Sequence, residues 1–127
     1  LERMGDQFVN IAERVRFLKD QPRVVSDIDL VKMGEVGSRM VGLSMTALTM
    51  RDPEIAREVL QMDDELDALH SRSFQVLQDA MRKNKEMITP AISYMTISSN
   101  LERLGDLATN IAEEIIFMQE GEVVRHQ

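Results

Sequence analysis

Apolar residues recur along this chain at alternating spacings of three and four, the period of a helix that packs one face against its neighbours. Four such stripes are present. The first is Leu1, Met4, Phe8, Ile11, Val15 and Leu18, and the second is Met33, Val36, Met40, Leu43, Ala47 and Met50. The third is Ile55, Val59, Met62, Leu66 and Leu69, and the fourth is Leu101, Leu104, Ala108, Ile111, Ile115 and Met118. Punctuation between them sets the expected bounds. The first helix is already running at Leu1 and reaches about Lys19, before Asp20-Gln21-Pro22-Arg23 breaks it. Ser26, with Asp29 three residues on, is close to a capping box and opens a second helix that runs to Met50. Asp52-Pro53-Glu54 supplies a capping carboxylate, a proline at the first helical position and an acid in the first turn, so a third helix should run from there to Lys83. Thr89-Pro90 repeats that logic for a fourth helix ending near Gly121. Short connections make neighbours antiparallel, so the fold class expected is all-α, an antiparallel bundle of four helices.

Self-comparison sharpens the picture. Leu1-Glu2-Arg3-Met4-Gly5-Asp6 returns as Leu101-Glu102-Arg103-Leu104-Gly105-Asp106, and Asn10-Ile11-Ala12-Glu13 returns as Asn110-Ile111-Ala112-Glu113. Ten of the first eighteen positions are identical at an offset of 100 residues, polar ones included. A bare packing seam would repeat only its apolar positions. Residues 1–19 therefore read as the last helix of one unit, and residues 26–121 as a whole second unit. The chain opens within a helical pattern and reads as a piece of a longer protein.

The repeated polar positions carry the candidate chemistry. At about 100° per residue, Glu102, Asp106, Asn110 and Glu113 share one side of their helix, opposite the apolar stripe. Asp63 and Asp67 are likewise four apart. Folding the third and fourth helices about a loop from Asn84 to Thr89 sets Asp67 level with Asp106, Asp63 level with Asn110, and His70 roughly level with Glu102. Two acidic pairs at one height make an oxygen-rich site for hard or borderline cations such as Mg, Mn, Fe or Zn. Such binding should weaken as pH falls toward about 4, where carboxylates protonate. Against this stands the plainer reading that acids opposite a seam are solvated helix surface. A lone histidine such as His70 is more often structural than a ligand, and Arg3 and Arg103 read as partners for nearby carboxylates. Gly105, repeated as Gly5, costs a helix about 1 kcal/mol relative to Ala and is suited to a close backbone approach.

Composition narrows the class. The 127 residues carry 22 acidic and 15 basic side chains, a net charge of -7. That balance disfavours nucleic acid and anionic membrane surfaces as partners. No cysteine is present, so there is neither a disulfide framework nor a thiolate zinc site, in keeping with a reducing, cytoplasmic setting. No apolar run approaches the roughly 20 residues of a membrane span. The ten methionines fall mostly on or near the seams, as gap-filling core. No Ser-His-Asp set, phosphate-binding glycine loop or zinc motif points to catalysis.

The stretch Asn100-Leu101-Glu102-Arg103-Leu104-Gly105-Asp106-Leu107-Ala108-Thr109-Asn110-Ile111-Ala112-Glu113, with its copy over Leu1 to Glu13, resembles the signature helix of the PhoU family. The resemblance covers the chain in order, as the last helix of a first repeat and all of a second. It implies three-helix repeats whose Glu/Asp-x-x-x-Asp motifs hold metal clusters, iron first, with zinc, manganese or magnesium as alternatives. The implied metal positions here are Asp63, Asp67, Glu102, Asp106, Glu2 and Asp6, with Asn110, Glu113 and His70 as weaker candidates. The helix that would face Glu2 and Asp6 is missing. The resemblance further implies non-enzymatic negative regulation of phosphate uptake, with a phosphate ABC transporter ATPase and a sensor histidine kinase as partners. The same domain also forms cytosolic tails of sodium–phosphate cotransporters. From a different class come a carboxylate-bridged di-iron or iron-storage bundle and a structural dimerisation module. The apolar stripe of residues 1–18 lacks two helices of its own unit, which predicts a homo-oligomer.

Overall fold

The computed structural model describes residues 30–126, with side chains up to residue 121. The expected first helix, its Glu2 and Asp6, the break at residues 20–25 and the Ser26 cap lie outside the described residues. Those described form three α-helices and one short 3-10 turn, with no strand among them: α1 (Leu30–Met50), α2 (Pro53–Lys83), the 3-10 turn Lys85–Met87, and α3 (Ile88–His126).

Each boundary has a chemical cause. At the end of α1, Arg51 takes a left-handed conformation, φ 52°, and the Asp52 N–H reaches back to the Ala47 carbonyl at 3.0 Å. This closes the helix in the manner of a Schellman cap, with arginine where glycine is usual. Asp52 then caps α2: its Oδ1 accepts from the Glu54 N–H at 2.9 Å, Pro53 fills the first helical position, and Glu54 sits in the first turn. Asn84 ends α2 by donating its backbone N–H to the Ala80 carbonyl, and its side chain accepts from the Glu86 N–H at 3.0 Å, opening the 3-10 turn.

Two expected bounds of the last helix are corrected. It starts at Ile88 rather than after Thr89-Pro90, because the 3-10 turn delivers the chain already coiled. Pro90 falls within the first turn, where the missing N–H costs nothing. Nor does Gly121 stop the helix, which runs on to His126. With no positive φ at any described glycine, Gly121 is simply a helical residue.

The core gathers Met33, Val36, Met40 and Ala47 of α1, Ala56, Val59 and Leu66 of α2, and Ile97, Leu101, Ala108, Ala112 and Ile115 of α3. These are mostly the predicted stripes. Met50 and Met118, the last members of theirs, are instead solvent-exposed. Two glycines let backbones come close. Gly37 places α1 against Leu101, and Gly105 places α3 against Leu66. A Cβ added at Gly105 would overlap Leu66 Cδ2 and lie 3.6 Å from Met40 Cε. That close approach is the reason for a glycine in mid-helix.

Candidate functional site

The α2–α3 groove brings four acidic side chains together, in a register one helical turn from the expected one. Asp67 lies within hydrogen-bonding reach of Glu102, not level with Asp106. Asp63 sits beside Gly105, its Oδ1 3.7 Å from where a Cβ would be, and in the field of Asp106 rather than level with Asn110. His70 contacts Ser98, not Glu102. Every pairing falls four residues earlier on α3 than the loop-based register placed it. Asn84 alone turns the chain, and residues 85–87 already run back along α2 as a 3-10 helix. The return helix therefore reaches each level sooner.

The acids are also less exposed than a solvated outer face would leave them. Asp63 and Glu102 are half-buried, while Asp67 and Asp106 are exposed. Asp63 Oδ1 and Glu102 Oε2 are both buried without a hydrogen-bond partner. The described ion pairs, Lys32–Glu65, Arg57–Glu120 and Arg82–Asp79, leave all four carboxylates untouched, and Arg103, expected to pair with a carboxylate, makes no ion pair among the described residues.

Removal from water and the crowding of like charges raise the affinity of Glu102, Asp63 and Asp106 for protons. Glu102 is pushed up to about 8, first by burial, then by the hydrogen bond that its protonated carboxyl gives to the neighbouring Asp67 carboxylate and by the charges of Asp67, Asp106 and Asp63. Asp63 is raised by burial and then by Asp67, Asp106, Asp64 and Glu113. Asp106 is raised by burial and Asp67, against an opposing pull from His70. Glu102 Oε2 has no partner while both carboxyls are ionised, because two acceptors cannot bond. A proton or a cation between them would satisfy the pair.

His70 belongs to a separate polar set at the next rung. Its Nδ1 is 2.7 Å from Ser98 Oγ, and its ring leans on Phe74 with centroids 4.6 Å apart. Ser98 Oγ is 3.0 Å from Ser73 Oγ and 3.5 Å from Met33 Sδ, and Ser73 donates to the His70 carbonyl at 2.8 Å. The sequence reading missed Ser73 and Ser98. Their only signal was position, since serine at a seam height is unusual unless it has a partner.

Among the described residues, no group of three or more His, Asp or Glu side chains already stands in an arrangement that holds a metal ion. The two orphaned carboxylate oxygens nevertheless suit a cation as the missing partner.

The PhoU domain matches residues 30–115, and the chain belongs to the PhoU family. It is 40% identical over 121 residues to a phosphate-specific transport system accessory protein PhoU homolog of Zymomonas mobilis, covering 95% of this chain and 51% of that protein. A homolog of the same description from Xylella fastidiosa (strain 9a5c) is 35% identical over 122 residues, covering 96% of this chain and 52% of its own length. One from Aquifex aeolicus is 33% identical over 127 residues, covering all of this chain and 58% of its own. The chain thus spans about half the length of the curated relatives it matches.

Proposed function

We propose that this chain is part of a non-enzymatic regulator of phosphate uptake that works by binding protein partners and carries metal ions in its acidic groove. The observation that supports the regulatory role most is the family match across α1, α2 and most of α3, together with relatives named as accessory proteins of phosphate-specific transport systems. Its partners in this reading are the ATPase of a phosphate ABC transporter and a sensor histidine kinase. Its setting is the cytoplasm and its assembly a homo-oligomer. No described helix is long and apolar enough to cross a membrane.

The metal ligands in this reading are Asp63, Asp67, Glu102 and Asp106, drawn together by side-chain rotation about the ion, with Glu2 and Asp6 as the equivalent pair of the other repeat. The bound ion, iron or else zinc, manganese or magnesium, would supply the positive charge that the groove lacks. A di-iron enzyme or iron-storage bundle is not favoured. Such bundles carry Glu and His ligands inside the core, whereas the buried polar side chains among the described residues are Ser44, Ser73, Ser93, Ser98, Asn100 and Thr109.

The test has two arms. Elemental analysis of protein purified without a chelator or a metal-affinity step should find a transition metal, lost on Asp106→Asn. Titration with a purified phosphate-transporter ATPase should show saturable binding; no heat or co-elution at tens of micromolar would sink the partner reading.

A further inference from the structure

Beside its core stripe, α1 carries a second one. Val31, Gly34, Ser38, Val41, Met45 and Leu48 recur at spacings of three, four, three, four and three, about 120° round the helix from the buried face. No described element covers this stripe. Val31 is 75% exposed and Leu48 47%, and a Cβ built at Gly34, or at the neighbouring Gly42, would meet nothing within 4 Å. The stripe holds no ionisable residue, and α1 has none after Arg39. The threonines beside it bond to their own helix: Thr46 Oγ1 donates to the Gly42 carbonyl and Thr49 Oγ1 to the Met45 carbonyl, each at 3.0 Å. Those two hydroxyls can leave water without losing a bond.

The order of sizes along the stripe says what fits it. Gly34 and Ser38 make its first half small, and Val41, Met45 and Leu48 make its second half large. Its spacing reads the same from either end. A two-fold interface needs that symmetry, since residue i of one protomer meets j of its partner and j meets i. Antiparallel pairing of two α1 helices sets Gly34 level with Met45, Ser38 level with Val41 and Val31 level with Leu48, each twice. Large side chains then fall opposite small ones, and the backbones can come close. Parallel pairing would set Met45 on Met45 and Gly34 on Gly34, crowding one end and leaving a gap at the other. Residues 1–18 are a poorer fit. Their own stripe is large at every position, and it repeats the one with which Leu101, Ala108 and Ile115 of α3 enter the core. Charge favours a second copy as well. The chain carries -7 overall, so copies repel one another, whereas α1 sets Lys32 and Arg39 against Glu35 alone. Two acidic chains can meet on this face without opposing like charges.

We propose that this face of α1 is a dimer interface, occupied by the same face of a second copy in antiparallel register, with the two-fold axis passing between Ser38 and Val41. The inference rests on the homo-oligomer reading above and names its surface. With 21 residues, α1 is about 30 Å long. One helix laid on one helix is at the small end of protein interfaces. The dimer is therefore reversible, with a dissociation constant on the order of 10 µM.

Sedimentation velocity of the whole 127-residue chain, from about 1 to about 200 µM, reads the association. The parent should pass from monomer to dimer over that range. Gly34→Gln should weaken the dimer by about tenfold or more, since it lifts the partner's Met45 off the backbone. The same change should raise the urea midpoint of the monomer, because glutamine is the better helix former and meets nothing in its own chain. Val31→Lys and Leu48→Glu, both at exposed positions, should each break the dimer. Mixing those two variants should restore it, because one layer then pairs lysine with glutamate while the other keeps valine on leucine. Phe117→Ser, at an exposed apolar position of α3, should leave the dimer constant within about twofold. A parent that stays monomeric throughout would overturn the inference and the homo-oligomer reading together. A dimer that Gly34→Gln, Val31→Lys and Leu48→Glu leave intact would overturn the inference alone, as would a mixture that stays monomeric. A lowered urea midpoint for Gly34→Gln would show another part of the same chain on this face, and would overturn it too.

Discussion

Glu102 is a carboxyl group placed where ionisation is costly, and its consequences can be measured one residue at a time. Its proton is held in the folded protein until about pH 8, against an ordinary value of 4.5. The folded state therefore binds this proton more tightly than the unfolded chain does. The resulting stabilisation is fully present below about pH 4.5, declines as pH rises toward 8, and is gone above it. Asp63 and Asp106, also raised, act in the same direction. Because Glu102 is only half-buried, solvent screening holds the effect to about 1–2 kcal/mol. Glu102→Gln keeps the shape and removes the charge. In metal-free protein it should melt at least as high as the parent at pH 8.5 and show a flatter stability profile between pH 5 and 8.5. A profile as steep as the parent's would mean that another group carries the dependence. Sequence reading found Glu102 and Asp106 because they repeat with their apolar neighbours, and Asp63 and Asp67 because they lie four apart on the helix that faces them. It placed them on the outer face of the hairpin, as a cation site weighed against plain solvated surface, since helical angles alone do not show how far the flank of one helix sinks against the next.

Helix ends and helix contacts make separate predictions. Asp52, Pro53 and Glu54 declared the start of α2 in the residues themselves, because capping is a local chemistry that needs no tertiary partner. The register of α2 against α3 was not legible in the same way. It depends on whether residues 85–87 form a slack loop or a coiled turn, and Asn84 as the cap of a 3-10 turn is a weak sequence signal. Arg51 was silent too, since nothing in an arginine announces a left-handed φ of 52°. Arg51→Gly should relieve that conformation and stabilise the domain by about 0.5–1 kcal/mol in urea unfolding. A loss of stability would mean that the Arg51 side chain contributes more than its backbone costs. At the other contact, Gly105→Ala gains about 1 kcal/mol of helix propensity. It also forces a methyl into Leu66, which is fully buried and has little room to yield. Overpacking costs about 1–3 kcal/mol, so the net effect should be a loss of about 1 kcal/mol. Leu66→Ala alone should cost about 2–5 kcal/mol. The double variant should be more stable than the sum of the two losses, because the added methyl partly fills the space Leu66 leaves. Strict additivity would show that the two helices do not meet there in solution.

At the scale of the whole molecule, the fold concentrates in one groove a charge imbalance that the composition spreads over the chain. The described ion pairs sit elsewhere on the surface, so the groove keeps its repulsion. A cation that binds the folded chain and not the unfolded one stabilises it by mass action, by about 2.7 kcal/mol when its free concentration is 100 times the dissociation constant. The proton on Glu102 competes for the same place. The expectation drawn from ordinary carboxylates, that binding fades only toward about pH 4, therefore moves upward. With Glu102 at about 8, binding should already weaken below pH 8, and at pH 6 its apparent strength should be on the order of 100-fold lower than in alkaline solution. Millimolar Mn2+ should accordingly raise the melting temperature clearly at pH 8.5 and much less at pH 6. Asp106→Asn should shrink the rise at pH 8.5 and leave the far-ultraviolet helical signal intact, since that side chain is exposed and outside the core. A melting temperature indifferent to Mn2+, Zn2+ and Fe2+ at both pH values would leave the proton as the only partner the groove takes. The acidic pairs would then serve as a pH-dependent restraint between α2 and α3 rather than as a metal site.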